Sequence, residues 1–192
     1  MINTHLKKYN VILASGSPRR HHFFRELGID FRIEVREVEE VHPPELQGTE
    51  ITDYLAKLKA SAFEDLSEKD LIITSDTIVW MDGLAIGKPS DANEAIQMLS
   101  ALSGRTHQVI TSVCFTRKNS QHIVNDTTVV RFRELSRTEI DYYVDTFNPF
   151  DKAGSYGIQE WIGYIGIERI EGCYFNVMGL PTRLVYKTLM EL

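Results

Sequence analysis

Val11-Ile12-Leu13-Ala14-Ser15-Gly16-Ser17-Pro18-Arg19-Arg20 is the stretch whose reading decides the fold. It opens with four apolar residues, two of them β-branched, as a buried strand does. Ser15-Gly16-Ser17 then suits a tight turn with exposed backbone N–H groups. Ser17 is a good helix N-cap, and Pro18 fits the first helical position, where a missing N–H costs nothing. The helix should run through Phe23, Phe24 and Leu27 and end near Gly28. Arg19 and Arg20 are anomalous there. A helix N-terminus is already positive, so each first-turn cation is misplaced by roughly 0.3–1 kcal/mol. A bound anion would repair this, held by the loop N–H groups and both guanidinium forks. The alternative is two arginines that point into water.

Working outward, strands and helices alternate, which indicates an α/β chain. Phe31 to Val38 alternates well enough for a strand. Glu37 to Pro44 leaves regular structure, its two prolines enforcing a loop. A helix is expected from about Asp53 to Asp65, with Leu55, Leu58 and Ala62 inward and Tyr54 beside them. Lys59 falls at the edge of that face, where a snorkelling stem is the alternative to a functional role.

Leu71 to Trp80 reads as a central strand, apolar almost throughout, with Asp76 in its middle. An ionised carboxylate cannot be buried alone, so Asp76 must meet a metal, a cation or water, unless it marks a bulge or kink. Asp82-Gly83 is a two-residue hairpin turn, and Leu84 to Ile86 is the returning strand. Lys88 follows, within reach of the arm that carries Asp76. Asp91 and Glu94 open a further helix, ended by Ser103-Gly104. His107 to Phe115 and His122 to Phe132 are strand-like. Ser136 to Glu139 is a capping box, Asn148-Pro149 a stop, and Asp151 to Glu160 a loop. A last helix follows Pro181.

Composition narrows the class. The 192 residues are 43% hydrophobic and 25% charged, and the net charge is −6. That balance argues against a general nucleic-acid binder. Two cysteines make no disulfide framework and fit a reducing compartment, with the cytoplasm as the default. No apolar run approaches the ~20 residues of a membrane span. The short run after Lys7 and Lys8 is no signal-peptide core.

The candidate chemistry gathers on Arg19, Arg20, Lys59 and Lys88 with Glu40 and Asp76. Cations and carboxylates around a hard divalent ion are the equipment for displacement at phosphorus. No Walker motif, GxGxxG, zinc spacing or GxSxG elbow competes. The six histidines show no metal-ligand spacing and read as structural.

Leu13 to Arg20, Ser75-Asp76-Thr77-Ile78-Val79, Gly87-Lys88-Pro89, Ser103 to His107, Tyr156-Gly157-Ile158-Gln159 and Asn176 to Pro181, taken together, resemble the successive motifs of the Maf family. The resemblance implies one Maf-like domain over residues 1–192, of the same broad fold as the inosine triphosphatases. That fold is an elongated α/β structure with a mixed twisted sheet flanked by helices and a cleft between two lobes. It implies hydrolysis of a nucleoside triphosphate to the monophosphate and pyrophosphate. On the matching positions Asp76 is the general base and, with Glu40, a ligand of Mg²⁺ or Mn²⁺. Ser15, Arg19, Arg20, Lys59 and Lys88 would bind the phosphate chain. The Thr after the Asp and the Tyr-Gly-Ile-Gln motif resemble the subgroup acting on dTTP and UTP, where a second subgroup acts on 7-methyl-GTP. Arg19, Thr77 and Gln159 would then set specificity. Glu160 stands where the family often has glycine, and a carboxylate there bears on the base preference. The expected partner is the nucleotide substrate, with no nucleic acid or membrane, and a homodimer is left open. A nucleotide-binding division regulator without turnover and a phosphomonoesterase are the other classes. Product identity separates them.

Overall fold

Seven strands form one mixed sheet, the strands over 32–33, 10–13, 70–81, 106–117, 120–132 and 167–171 lying side by side in that order and the strand over 84–86 pairing with 70–81, in a computed structural model that describes residues 2–192. The elements are α1 (Ile2–Leu6), β1 (Asn10–Leu13), α2 (Pro18–Glu26), β2 (Arg32–Ile33), α3 (Thr49–Ser61), β3 (Asp70–Met81), β4 (Leu84–Ile86) and α4 (Ala92–Leu102). They continue with β5 (Thr106–Arg117), β6 (Ser120–Phe132), α5 (Arg137–Phe147), a 3₁₀ turn at Ala153–Ser155, α6 (Trp161–Gly166), β7 (Ile167–Glu171), α7 (Tyr174–Val177) and α8 (Thr182–Glu191). No helix among the described residues is long and apolar enough to cross a membrane.

The chain divides into two compact units. Among the described residues the first comprises 2–76, 111–126 and 179–192; the second comprises 77–110 and 127–178. In the first unit β1 lies parallel to both β2 and β3, with Val11 level with Leu71 and Leu13 level with Ile73. Leu13, Leu71, Ile72 and Ile73 are wholly buried, which is why both strands read as unbroken apolar runs. Phe24 of α2 is wholly buried, and Gly28 follows that helix at φ +68°, as the Leu27–Gly28 ending requires.

The second unit has its own core. Leu99 and Leu102 of α4, Ile140, Tyr143 and Val144 of α5, Phe132 and Ile162 cluster there. The capping box at Ser136 and Glu139 forms in both directions, and Asn148 closes α5 in the left-handed region. Asp82 and Gly83, at φ +52° and +79°, make the expected tight turn, with Met81 paired to Leu84.

Several expectations need correction. Phe31 to Val38 is not a long strand: only Arg32 and Ile33 pair with β1, at the sheet edge. Ile33 and Val35 are exposed, and only Phe31 at the head of that face is half-buried, against Phe24. The helix expected over 53–65 lies over 49–61, entered through Gly48 at φ +52°. Its buried line is Ile51, Thr52, Leu55, Ala56 and Ala60 rather than Leu55, Leu58 and Ala62. Ser17 is the N-cap of α2 by position, but its side chain makes no capping bond. Ser15 Oγ instead accepts the Ser17 N–H, at 3.2 Å.

Candidate functional site: carboxylates and cations of the first unit

Asp76 lies within the twelve-residue strand β3 and is 6% exposed. Burying an ionised carboxylate requires a partner. Lys59 supplies it, its Nζ donating to Asp76 Oδ1 at 2.6 Å. The same Nζ lies 2.9 Å from Glu40 Oε2. Lys59 therefore does not merely snorkel. It sits in the last turn of α3, where a cation also suits the negative end of the helix dipole. Glu40 arrives from irregular chain and keeps half of its side chain exposed. Two carboxylates thus converge on one ammonium.

Arg20 is braced from two directions. Its Nε donates to the carbonyl of Gly179 at 2.9 Å and its Nη1 to that of Ser75, also at 2.9 Å. Nη1 also reaches Ser15 Oγ at 3.4 Å. The expectation that both guanidinium forks serve an anion is corrected to this extent, because part of the Arg20 fork holds protein carbonyls. This bracing ties the first turn of α2 to the residue before Asp76. Desolvation brings the Arg20 guanidinium down to about 10, opposed by the charges of Asp76 and Glu40 and assisted by that of Arg19. It therefore remains a cation at neutral pH. Arg19, half-buried, shares that first turn. Ser15 is 7% exposed, and its carbonyl oxygen lies 2.5 Å from His21 Nε2. His21 and Gly179 thus hold the turn in place. The contact of His21 is one turn along the same helix, whereas that of Gly179 has no local signal.

Thr77, Lys88 and Gln159 belong to the second unit. Thr77 follows Asp76 along β3 and is half-buried. Lys88 is exposed on the segment that leaves β4. Gln159 is half-buried, and its Oε1 is buried without a hydrogen-bond partner. The loop expected over Asp151 to Glu160 contains the 3₁₀ turn, whose Gly154 N–H donates to the Gly87 carbonyl at 2.9 Å.

No group of three or more His, Cys, Asp or Glu side chains poised for a metal occurs among the described residues. The hard oxygens of Glu40 and Asp76 nevertheless suit Mg²⁺ or Mn²⁺. Such ions take one or two protein carboxylates and complete their shell with substrate phosphate and water.

A seven-stranded mixed sheet carrying such carboxylates and cations defines an α/β protein equipped for an anionic substrate. The Maf-like protein family matches residues 10–192, and the chain belongs to it. Among its relatives are proteins named dTTP/UTP pyrophosphatase. That of Flavobacterium psychrophilum is 56% identical, covering 100% of this chain and 98% of the relative. That of Christiangramia forsetii is 57% identical, with the same coverage. That of Bacteroides fragilis is 49% identical over 97% of this chain and 98% of the relative. The fold is also that of the Ham1 protein of Staphylococcus aureus, with a TM-score of 0.54 at 15% identity, covering 95% of this chain and 98% of that one. A HAM1 protein from Coxiella burnetii gives 0.51 at 15% identity, over 96% and 100%.

Proposed function

We propose that this chain hydrolyses dTTP and UTP to the nucleoside monophosphate and pyrophosphate, with Asp76 as the base. The observation that carries this reading is the convergence of Asp76 and Glu40 on Lys59. The names of the relatives support the substrates.

In this reading Asp76 takes a proton from water as the water attacks the α-phosphorus. The bond to the bridging oxygen breaks, and pyrophosphate leaves with the electron pair. A positioned carboxylate contributes roughly 10²–10⁴-fold as such a base. Lys59 and Arg20 neutralise charge that builds on the phosphate chain, where fixed cations act most strongly. Ser15, Arg19 and Lys88 bind the same chain. Arg19, Thr77 and Gln159 set the choice of base, the Gln159 amide matching the O4/N3 edge of a pyrimidine. Glu40 and Asp76 would hold Mg²⁺ or Mn²⁺, which when bound supplies further neutralisation of the departing pyrophosphate. Free thiols at Cys114 and Cys173 support a reducing compartment, the cytoplasm.

The test is a product assay with Mg²⁺ or Mn²⁺ on dTTP, UTP, CTP and 7-methyl-GTP, with Asp76→Asn as control. Pyrophosphate and monophosphate from dTTP or UTP, lost in the variant, is the expected result. Orthophosphate as the product, or nucleotide bound without turnover, overturns it.

A further inference from the structure

Glu160 is the N-cap residue of α6, yet its side chain makes no capping bond. It turns back into the second unit. Its Oε2 accepts the Tyr143 hydroxyl, and its Oε1 lies 3.1 Å from Lys152 Nζ. The Tyr143 oxygen in turn accepts the Gly157 N–H at 3.0 Å. Lys152 is 7% exposed and Tyr143 is wholly buried, so this is an interior network. Lys152 Nζ also lies 2.7 Å from Asp151 Oδ1.

The loop is moulded around that carboxylate. A Cβ on Gly157 would stand 2.7 Å from Glu160 Cδ, so a side chain there would push the carboxylate out of its present position. A Cβ on Gly163 would stand 1.9 Å from the Ile158 carbonyl oxygen, so α6 presses on the same loop from its other end. Tyr156 and Ile158 are buried on either side of Gly157. Gln159 lies between these anchors, and its buried Oε1 has no partner. A buried amide oxygen is costly unless something bonds to it.

We propose that Glu160 is a positioning residue for nucleobase recognition: with Lys152 and Tyr143 it clamps residues 156–160 in the conformation that presents the Gln159 amide to a pyrimidine. This rests on Gln159 being the base-reading residue. Glu160 touches no substrate. A site that recognises a base by hydrogen bonds discriminates only while its polar groups are correctly aimed. The carboxylate at 160 is then part of the specificity device and not an obstacle to the substrate.

The experiment measures kcat and KM for dTTP, UTP and CTP in wild type, Glu160→Ala, Glu160→Gln, Tyr143→Phe and Gln159→Ala, with thermal melting of each. Glu160→Ala should raise KM for dTTP and UTP about tenfold while kcat changes far less, the split expected when binding contacts alone are lost. The preference for dTTP over CTP should fall with it. Glu160→Gln keeps an acceptor for Tyr143 and should recover most of the loss. Tyr143→Phe should move KM in the same direction by less. Should Glu160→Ala fail to fold, Glu160→Gln and Tyr143→Phe decide alone, and wild-type KM and preference in both overturn the proposal. An unchanged preference in folded Glu160→Ala overturns it too, as does an equal fall in kcat on every nucleotide. If Gln159→Ala shifts the preference but the Glu160 variants do not, the clamp alone is wrong. If Gln159→Ala shifts nothing, the reading of Gln159 fails and the clamp's role fails with it.

Discussion

Lys59 Nζ stands 2.6 Å from Asp76 Oδ1, joining the last turn of one helix to the middle of a central strand. It also meets Glu40, so one ammonium holds two carboxylates that lie far apart in the chain. The arrangement makes the burial of Asp76 tolerable.

Replacing Asp76 with Asn removes the base and keeps the shape. Turnover should fall by roughly 10²–10⁴-fold. Lys59 keeps Glu40 as its partner, so the chain should stay folded, and much of the nucleotide binding should remain. Steady-state kinetics beside binding calorimetry check this, and near-normal hydrolysis removes Asp76 from the mechanism.

Lys59→Met leaves Asp76 buried without its ammonium. Removing one partner of a buried pair costs about 3–5 kcal/mol, and the residual exposure of Lys59 puts this case at the low end. Adding Asp76→Asn should restore much of the stability, because no uncompensated charge is then left inside. Activity should stay lost in both. Denaturant midpoints of the single and double variants measure the coupling, and additive losses would dissolve it.

Arg20→Lys should behave more like Arg20→Ala than like wild type. A guanidinium donates along fixed directions to Gly179 and Ser75, and an ammonium on a flexible stem does not reproduce that fork. KM should rise in both variants. A lysine variant with wild-type KM would show that charge alone matters.

His107 gives a pH dependence. It is 2% exposed, its Nε2 lies 2.8 Å from the Tyr156 hydroxyl, and its Nδ1 is buried without a partner. Burial lowers it from 6.5 to about 4. Between those values the unfolded chain takes up a proton that the folded one refuses, so stability falls as pH drops from 6.5 towards 4. The full loss is about 3 kcal/mol at about 1.4 kcal/mol for each pH unit. His107→Gln should flatten that limb of a stability profile, and an unaltered slope would assign it to other groups.

What was legible in the sequence was local. Period, turn chemistry and capping are written within a few residues, so β1, β3, the Asp82-Gly83 turn, the Ser136 box and α8 stand where they were expected. Phe31 to Val38 misled because its alternation has no core to face beyond Phe31. The helix near Lys59 was displaced because Gly48, and not Asp53, begins it.

The site divides in the same way. Residue types alone marked Asp76, Arg19 and Arg20 as out of place, since a buried carboxylate or a first-turn cation is unfavourable in any fold, and Lys59 stood out only by its place at the edge of an apolar face. Which of them meet was a matter for the tertiary structure. It set Lys59 against both carboxylates, and it turned the Arg20 fork onto Gly179 and Ser75. It also carried Glu160, which by sequence stood out only as a departure from the family's glycine, inward to Lys152 and Tyr143. Local rules state what a side chain requires. Only the packed chain, by bringing distant residues within hydrogen-bond reach and excluding water, decides which neighbour supplies it.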